Sequence, residues 1–333
     1  MKCLRPGLFT TIQDMGRYQY EKDGFSVAGV MNQYFYKISN ALVGNDDAPV
    51  LEITINGPQL KFNEPNIIAF VAYDAEIFVD EHPVPVNTAI YVDKGQVLNI
   101  KKITKGARGY LSFYKSLTIE PILGSVSTHT RSGIGGYQGR TLNKGDVLQF
   151  KDKPLNHDLI GNTYHIDRDE SYDEIPVLEG MQFDSFDSSS HKLLTEQSYC
   201  ISDMSDRMGY RLKGDEKLKH KGTADIISEP IAAGSVQVPT DGQPIILLND
   251  RQTIGGYTKI ATVTFIGREK LANLKANDTL KFKWISYEDA ITNYKAYMNQ
   301  IDNDIKAIKQ KKFKDLSSIR PKSKKIAKLI KGE

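Results

Sequence analysis

The chain has 333 residues, 40% of them apolar and 26% charged, an ordinary globular mixture long enough for two cores. Its net charge of +3 hides an asymmetry: residues 303–333 carry eleven Lys or Arg against three Asp or Glu, so the rest is mildly acidic and argues against nucleic-acid binding by the folded part. Two cysteines, six histidines without metal-ligand spacing and no window of the ~18 apolar residues that would span a bilayer lead us to expect a cytoplasmic protein without disulfides, metal or membrane contact.

Taken in chain order, the first signal is a Pro6-Gly7 turn, a short apolar-Thr run over 8–12 and the polar group Gln13, Asp14, Arg17. Such a group at a strand end is either a site or a capped turn, because Asp favours turns for local reasons. Residues 31–43 have apolar positions near a 3.6 period and predict the one helix of the first half, stopped at Gly44-Asn45. From 50 to 150 short β-type runs recur at 51–55, 67–72, 76–79, 89–92, 97–100, 109–114 and 146–150, separated by turn signals. Many short strands with few helices predict a mainly β fold of barrels or sandwiches and oppose a parallel α/β sheet. Neither usual nucleotide fingerprint, G-x-G-x-x-G or G-x-x-x-x-G-K-[ST], occurs.

A charged, Pro- and Asn-bearing stretch at 151–173 reads as a linker, and a second β-rich section runs from 175 to 284. Within it, 245–248 is a continuous apolar run between turn signals, the pattern of a strand buried on both faces, and it delivers Asp250, Arg251, Gln252 and Thr253 to its end. Gly-Ser-Val followed by Gly-Gly-Tyr occurs in both sections, a faint echo of two related barrels. Ser286 with Asp289 forms a helix start, and apolar residues at 287, 291, 294, 298, 301, 305 and 308 predict a long helix laid on the body. The Lys-rich remainder, 311–333, reads as a solvated end. The expected division is 1–155 for a first barrel, 156–285 for a second and 286–333 for helix and tail.

The series PGLFTTIQDMGR, NALVG, LEITINGP, GSVSTH, GGYQGRTLNKGD, SDRMGYRL, SEPI and GSVQVPTDGQPIILLNDRQTIGGYTKIATV resembles the family known as allophanate hydrolase subunit 2, KipA or PxpC (the C component of 5-oxoprolinase), of the biotin-dependent carboxyltransferase type. The resemblance covers residues 4 to about 282. It implies two cyclophilin-like β-barrels and two partner chains. One is a KipI-like protein, the B component of 5-oxoprolinase; the other is a LamB/YcsF-type protein, its A component. Together these open 5-oxoproline to glutamate with ATP shared among the chains. Two alternatives stay open: a carboxyltransferase component that acts on urea with biotin carried by another protein, and a non-catalytic regulator that binds a KipI-like kinase inhibitor. The chain departs from the family pattern at Asn32, where an Asp is usual, and at Ala72-Tyr73-Asp74, where Gly-Ala-Asp is usual, which puts a large Tyr73 in a tight spot.

Both enzymatic readings act on a small amide, which needs donors aimed at its carbonyl oxygen and an acceptor near nitrogen. Asp206, Arg207, Asp250 and Gln252 supply this inventory from the second section as catalytic candidates. Gln237, Gln13, Asp14, Arg17, Ser125, Ser127 and Thr128 are the substrate-binding candidates. An Asp-Arg adjacency is equally a structural ion pair. On the catalytic reading, Arg207→Ala and Asp250→Ala abolish activity of the assembled complex and leave the fold intact.

Overall fold

The computed structural model describes residues 1–167, 173–310 and 314. The first half holds ten strands: β1 (Lys2–Arg5), β2 (Phe9–Gln13), β3 (Val50–Thr54), β4 (Gln59–Lys61), β5 (Asn66–Val71), β6 (Asp74–Val79), β7 (His82–Pro83), β8 (Ala89–Val92), β9 (Val97–Lys105) and β10 (Arg108–Phe113). They form two five-stranded antiparallel sheets, ordered β1-β4-β9-β6-β7 and β2-β3-β10-β5-β8. Side chains alternate along a strand. Ile68 and Phe70 of β5 therefore join Leu60, Leu98 and Ile100 of the other sheet in one core. Ile67, Ala69 and Val71 face the opposite way, onto helix α1 (Gln33–Leu42). Burial on both faces is why β5 is apolar from Ile67 to Val71.

The same parity places function-bearing groups. Leu51 and Ile53 of β3 enter the core, so Glu52 points to the α1 side. It lies opposite Tyr110 in the β3–β10 register, with Arg108 two residues away on the same face. Asn32, the departure from the family pattern, caps α1 by accepting from Phe35 N at 2.7 Å, as an Asp would. Tyr73 stands edge-on to Phe35 at 4.9 Å and packs between the two halves.

The second half is a closed barrel of β11 (Glu174–Glu179), β12 (Tyr199–Ile201), β13 (Gly209–Lys213), β15 (Ser235–Gln237), β16 (Ile245–Leu247), β18 (Lys259–Val263) and β19 (Thr279–Trp284), in the order β11-β18-β15-β16-β13-β12-β19. Strands β14 (Asp225–Pro230) and β17 (Ile254–Tyr257) form a separate ribbon. The mainly β architecture with a closed barrel agrees with the expectation. Two short helices add to it, α2 (Ser188–Glu196) and α3 (Phe265–Leu271), capped by Asp187 and Thr264. The run at 146–150 is not a strand. It makes only single bridges, Lys2 to Val147 and Leu117 to Phe150, because the Asp146 carboxylate accepts from Arg140 and from Asn143 N and turns the chain there.

Helix α4 (Tyr287–Lys309) begins as expected, with Ser286 Oγ accepting from Asp289 N at 3.0 Å. Its C-terminal half docks on α1 through Ile301 and Ile308, while Tyr287, Ile291 and Tyr294 stay exposed. Apart from Lys314, the basic tail lies outside the described residues. No described helix is long and apolar enough to cross a membrane. Ile308→Ala removes a buried anchor near the helix end, where the site can relax. It lowers unfolding stability by about 2 kcal/mol, read as a reduced urea midpoint.

Candidate functional site at the seam between the halves

The buried centre of the seam is a charge cluster. Backbone bonds between the two loops (Asp250 N to Arg207 O, 3.0 Å; Leu248 N to Met208 O, 2.8 Å) bring Arg207 and Asp250 side by side. Arg207 Nε and Nη2 then donate to the two Asp250 oxygens at 3.0 and 2.9 Å. Arg207 Nη1 donates to Glu52 Oε1 from the first half, and Nη2 to Gly29 O at 2.6 Å. Glu52 Oε2 accepts from Met31 N and Tyr110 Oη, each at 2.8 Å, and Arg108 Nε stands 3.8 Å from Oε1. Arg207 is 5% exposed and Glu52 is 1% exposed. Burial opposes the Arg207 charge, but Asp250 and Glu52 outweigh it and raise its pKa. Gly29 has φ +80°, and a Cβ there would stand 2.7 Å from Met15 O, so this strap between the halves needs glycine.

The seven substrate-binding candidates do not act as one group. Asp14 accepts from Ser125 Oγ and Ser127 Oγ at 2.5 Å, from Val126 N at 2.8 Å and from Gly16 N at 2.9 Å. Thr128 Oγ1 donates to Ile12 O, and Gln13 Nε2 to Thr128 O. Arg17 Nη2 donates to Ser127 O, while Arg17 Nε and Nη1 are buried without a hydrogen-bond partner. Burial lowers the Arg17 pKa, with Asp14 and Asp250 offsetting part of that. These six residues bond mainly to one another and hold the 125–128 loop against β2. His129, next in that loop, sets Nε2 3.3 Å from Asp250 O, so the clamp abuts the charge cluster.

Gln237 belongs elsewhere. A pocket of about 360 Å³ is lined by Arg131 from the first half and by Met204, Asp206, Met208, Arg211, Gln237, Gln252 and Tyr257 from the second. Gln237 is 3% exposed, and its Nε2 has no hydrogen-bond partner. A Cβ on Gly255 would meet Gln237 Nε2 at 3.0 Å and Gln252 Nε2 at 3.1 Å, so the bare glycine lets two amide donors lie next to each other. Asp206 sits at the mouth, Oδ1 accepting from Met208 N at 2.8 Å. The four catalytic candidates thus divide: Asp206 and Gln252 reach the pocket, whereas Arg207 and Asp250 are sealed in the ion cluster. Arg131 and Arg211 escaped the sequence reading. Arg211 had a signal, since it follows Gly209 by two on one strand face, while Arg131 had none beyond its place in a Gly-rich loop. Among the described residues no group of three or more His, Cys, Asp or Glu gathers as a metal site.

The buried cluster also revises the expectation that Arg207→Ala leaves the fold intact. Removing the guanidinium strands two buried carboxylates, which costs about 3–5 kcal/mol. Arg207→Ala lowers the urea midpoint accordingly. Adding Glu52→Gln to Arg207→Ala recovers part of the loss, a non-additivity that a double-mutant cycle measures.

Comparison with known proteins identifies the family. The family model described as "Carboxyltransferase domain, subdomain A and B" matches residues 23–284. The C component of the Escherichia coli 5-oxoprolinase is 34% identical over 300 residues, covering 87% of this chain and 93% of that protein. A urea amidolyase of Lachancea kluyveri is 31% identical over 309 residues, 86% of this chain but 17% of that protein. The crystal structure of the Kluyveromyces lactis urea carboxylase superposes with a TM-score of 0.82 at 28% identity, over 91% of this chain and 29% of that one. With the match spanning both halves and the seam between them, the chain belongs to the carboxyltransferase-domain family of subdomains A and B.

Proposed function

We propose that this chain is the C component of an ATP-dependent 5-oxoprolinase and that the pocket at the seam takes the amide substrate. The observation that carries the reading is the buried, unpartnered Gln237 Nε2 beside Gln252 Nε2 in the pocket wall. A buried donor left without a partner costs roughly 1–3 kcal/mol, and a substrate carbonyl oxygen relieves it. When the lactam carbonyl is attacked, negative charge grows on that oxygen. Two neutral donors in the pocket wall, the buried Gln237 and the more exposed Gln252, stabilise it, each by about 10²–10³ in rate. Arg131 and Arg211 offer fixed positive charges to the carboxylate of 5-oxoproline. Asp206 at the mouth is the acceptor for the lactam N–H.

The chain works with a KipI-like protein and a LamB/YcsF-type protein, with ATP shared among the three. This pocket has no glycine-rich phosphate cradle, so no residue in it is assigned to ATP chemistry. Two relatives named as the C component of 5-oxoprolinase, each 34% identical over most of their length, support this reading. The superposition on the urea carboxylase supports a second, in which the same amides hold the carboxyl group handed from biotin on another protein to urea.

Co-expression with the two partner chains, assayed for ATP- and 5-oxoproline-dependent glutamate release, tests the proposal. Gln237→Leu and Gln252→Leu each lower turnover about 100-fold or more, and Gln237→Leu keeps wild-type thermal stability because its Nε2 bonds nothing in the protein. A complete complex that releases no glutamate but carboxylates urea overturns the first reading in favour of the second. Full turnover in both variants removes the pocket from the mechanism.

A further inference from the structure

The charges at the seam balance almost everywhere. Arg207 and Arg108 face Glu52 and Asp250, and Arg17 lies in reach of Asp14 and Asp250. One pair of arginines is different. Arg251 is 7% exposed; its Nε donates to Ile231 O at 3.0 Å, and its own carbonyl accepts from Ser26 Oγ at 2.6 Å. Arg268, on α3, runs past the same turn, its Cδ 3.4 Å from where a Cβ on Gly234 would stand. Its guanidinium lies over the Phe265 ring at 5.4 Å, and its Nε is buried without a hydrogen-bond partner.

Among the described residues no carboxylate pairs with either guanidinium, in contrast to Arg207 and Arg108. The acids next to them in sequence are occupied: Asp250 pairs with Arg207, and Glu269 ties helices together. Its oxygens accept from Gln33 N, Tyr34 N and Tyr297 Oη to lock α1, α3 and α4 together. Burial, then the like charge of Arg268, brings the Arg251 pKa down to about 10, and Glu21 and Tyr18 offset only part of it. Burial lowers Arg268 as well, with Glu269, Tyr18 and Tyr294 opposing. Tyr18 is 51% exposed and Tyr294 is 43% exposed, so the rim beside this pair is open to solvent and offers phenol hydroxyls.

Two like charges that repel each other, Arg251 buried and Arg268 half-buried with its Nε aimed at no partner, form half of an ion pair. The missing half carries negative charge and several acceptor oxygens. A carboxylate brings one charge in one plane. A phosphate brings close to two, with oxygens directed to both guanidinium groups. We propose that Arg251 and Arg268 form a second ligand site that binds a phosphate group, either free phosphate or the phosphate chain of a nucleotide. This site is distinct from the substrate pocket and does not depend on how that pocket is read.

The test uses the full chain at low ionic strength, titrated with sodium phosphate, ADP, acetate, and sodium chloride at matched ionic strength. Binding is followed by calorimetry and thermal unfolding. Phosphate or ADP raises Tm saturably, by about 5 °C at a hundredfold excess over Kd, and acetate and chloride do not. A Kd for ADP at least tenfold below that for phosphate identifies the nucleotide chain as the ligand; equal values identify the free anion. Arg268→Gln weakens Kd at least tenfold while the ligand-free Tm stays equal or rises, since one of two repelling charges is gone. If that variant fails to fold, Arg251→Lys, which keeps the charge but loses the planar fork, serves the same purpose. Absence of any saturable response beyond matched chloride overturns the proposal, as does wild-type affinity in a folded variant.

Discussion

The Glu52–Arg207–Asp250 cluster is the constraint on which the rest of the structure depends. One carboxylate comes from a strand of the first half, the guanidinium and the other carboxylate from two loops of the second, and all three are almost dry. Desolvating such charges is expensive, and attraction compensates only when geometry is good and the remaining oxygens are hydrogen-bonded. Those conditions hold here, because Tyr110, Met31 N and the paired donors of Arg207 complete the set. An ion cluster of this kind is a weak source of stability and a strong source of register. Any sliding of one half against the other would leave a buried charge without its partner.

Register matters because the pocket is built by both halves. Arg131 comes from a loop held by the Asp14–Ser125–Ser127 clamp, and the facing wall comes from the barrel and the β14–β17 ribbon. The clamp abuts the ion cluster through His129, so the polar groups fall into three neighbouring roles: positioning by charge, positioning by hydroxyl and carboxylate, and, on the function proposed above, ligand contact by amide. Neutral amides suit the last role. They stabilise developing charge without adding a cation whose own desolvation would have to be offset.

Much of the fold was legible in the chain. The amphipathic period over 31–43 became α1, the Ser286 start became the cap of α4, and most of the short β-type runs became strands within a residue or two, although the run at 97–100 extends to Lys105 in β9. Two kinds of error share a cause. The run at 146–150 has strand-like alternation yet is held by the Asp146 carboxylate, and α2 and α3 are short helices whose caps do more than their weak periodicity. Local propensity is a weak prior wherever side-chain hydrogen bonds to the backbone decide the conformation.

The site shows the same limit more sharply. The sequence alone determined the inventory: the QDxGR, SDRMGYRL and DRQTIGGY stretches named most of the polar residues that meet at the seam. Only the tertiary structure decided which residue does what. Asp206 and Arg207 are neighbours in sequence, yet one opens to the pocket and the other is sealed between the halves. Gln237 and Gln252 are well separated in sequence and meet only because Gly255 leaves room for both. Whether a polar side chain clamps a loop, pairs with a buried charge or faces a ligand depends on what the folded chain packs against it. For Arg207 one such partner, Gly29, lies 178 residues away in sequence.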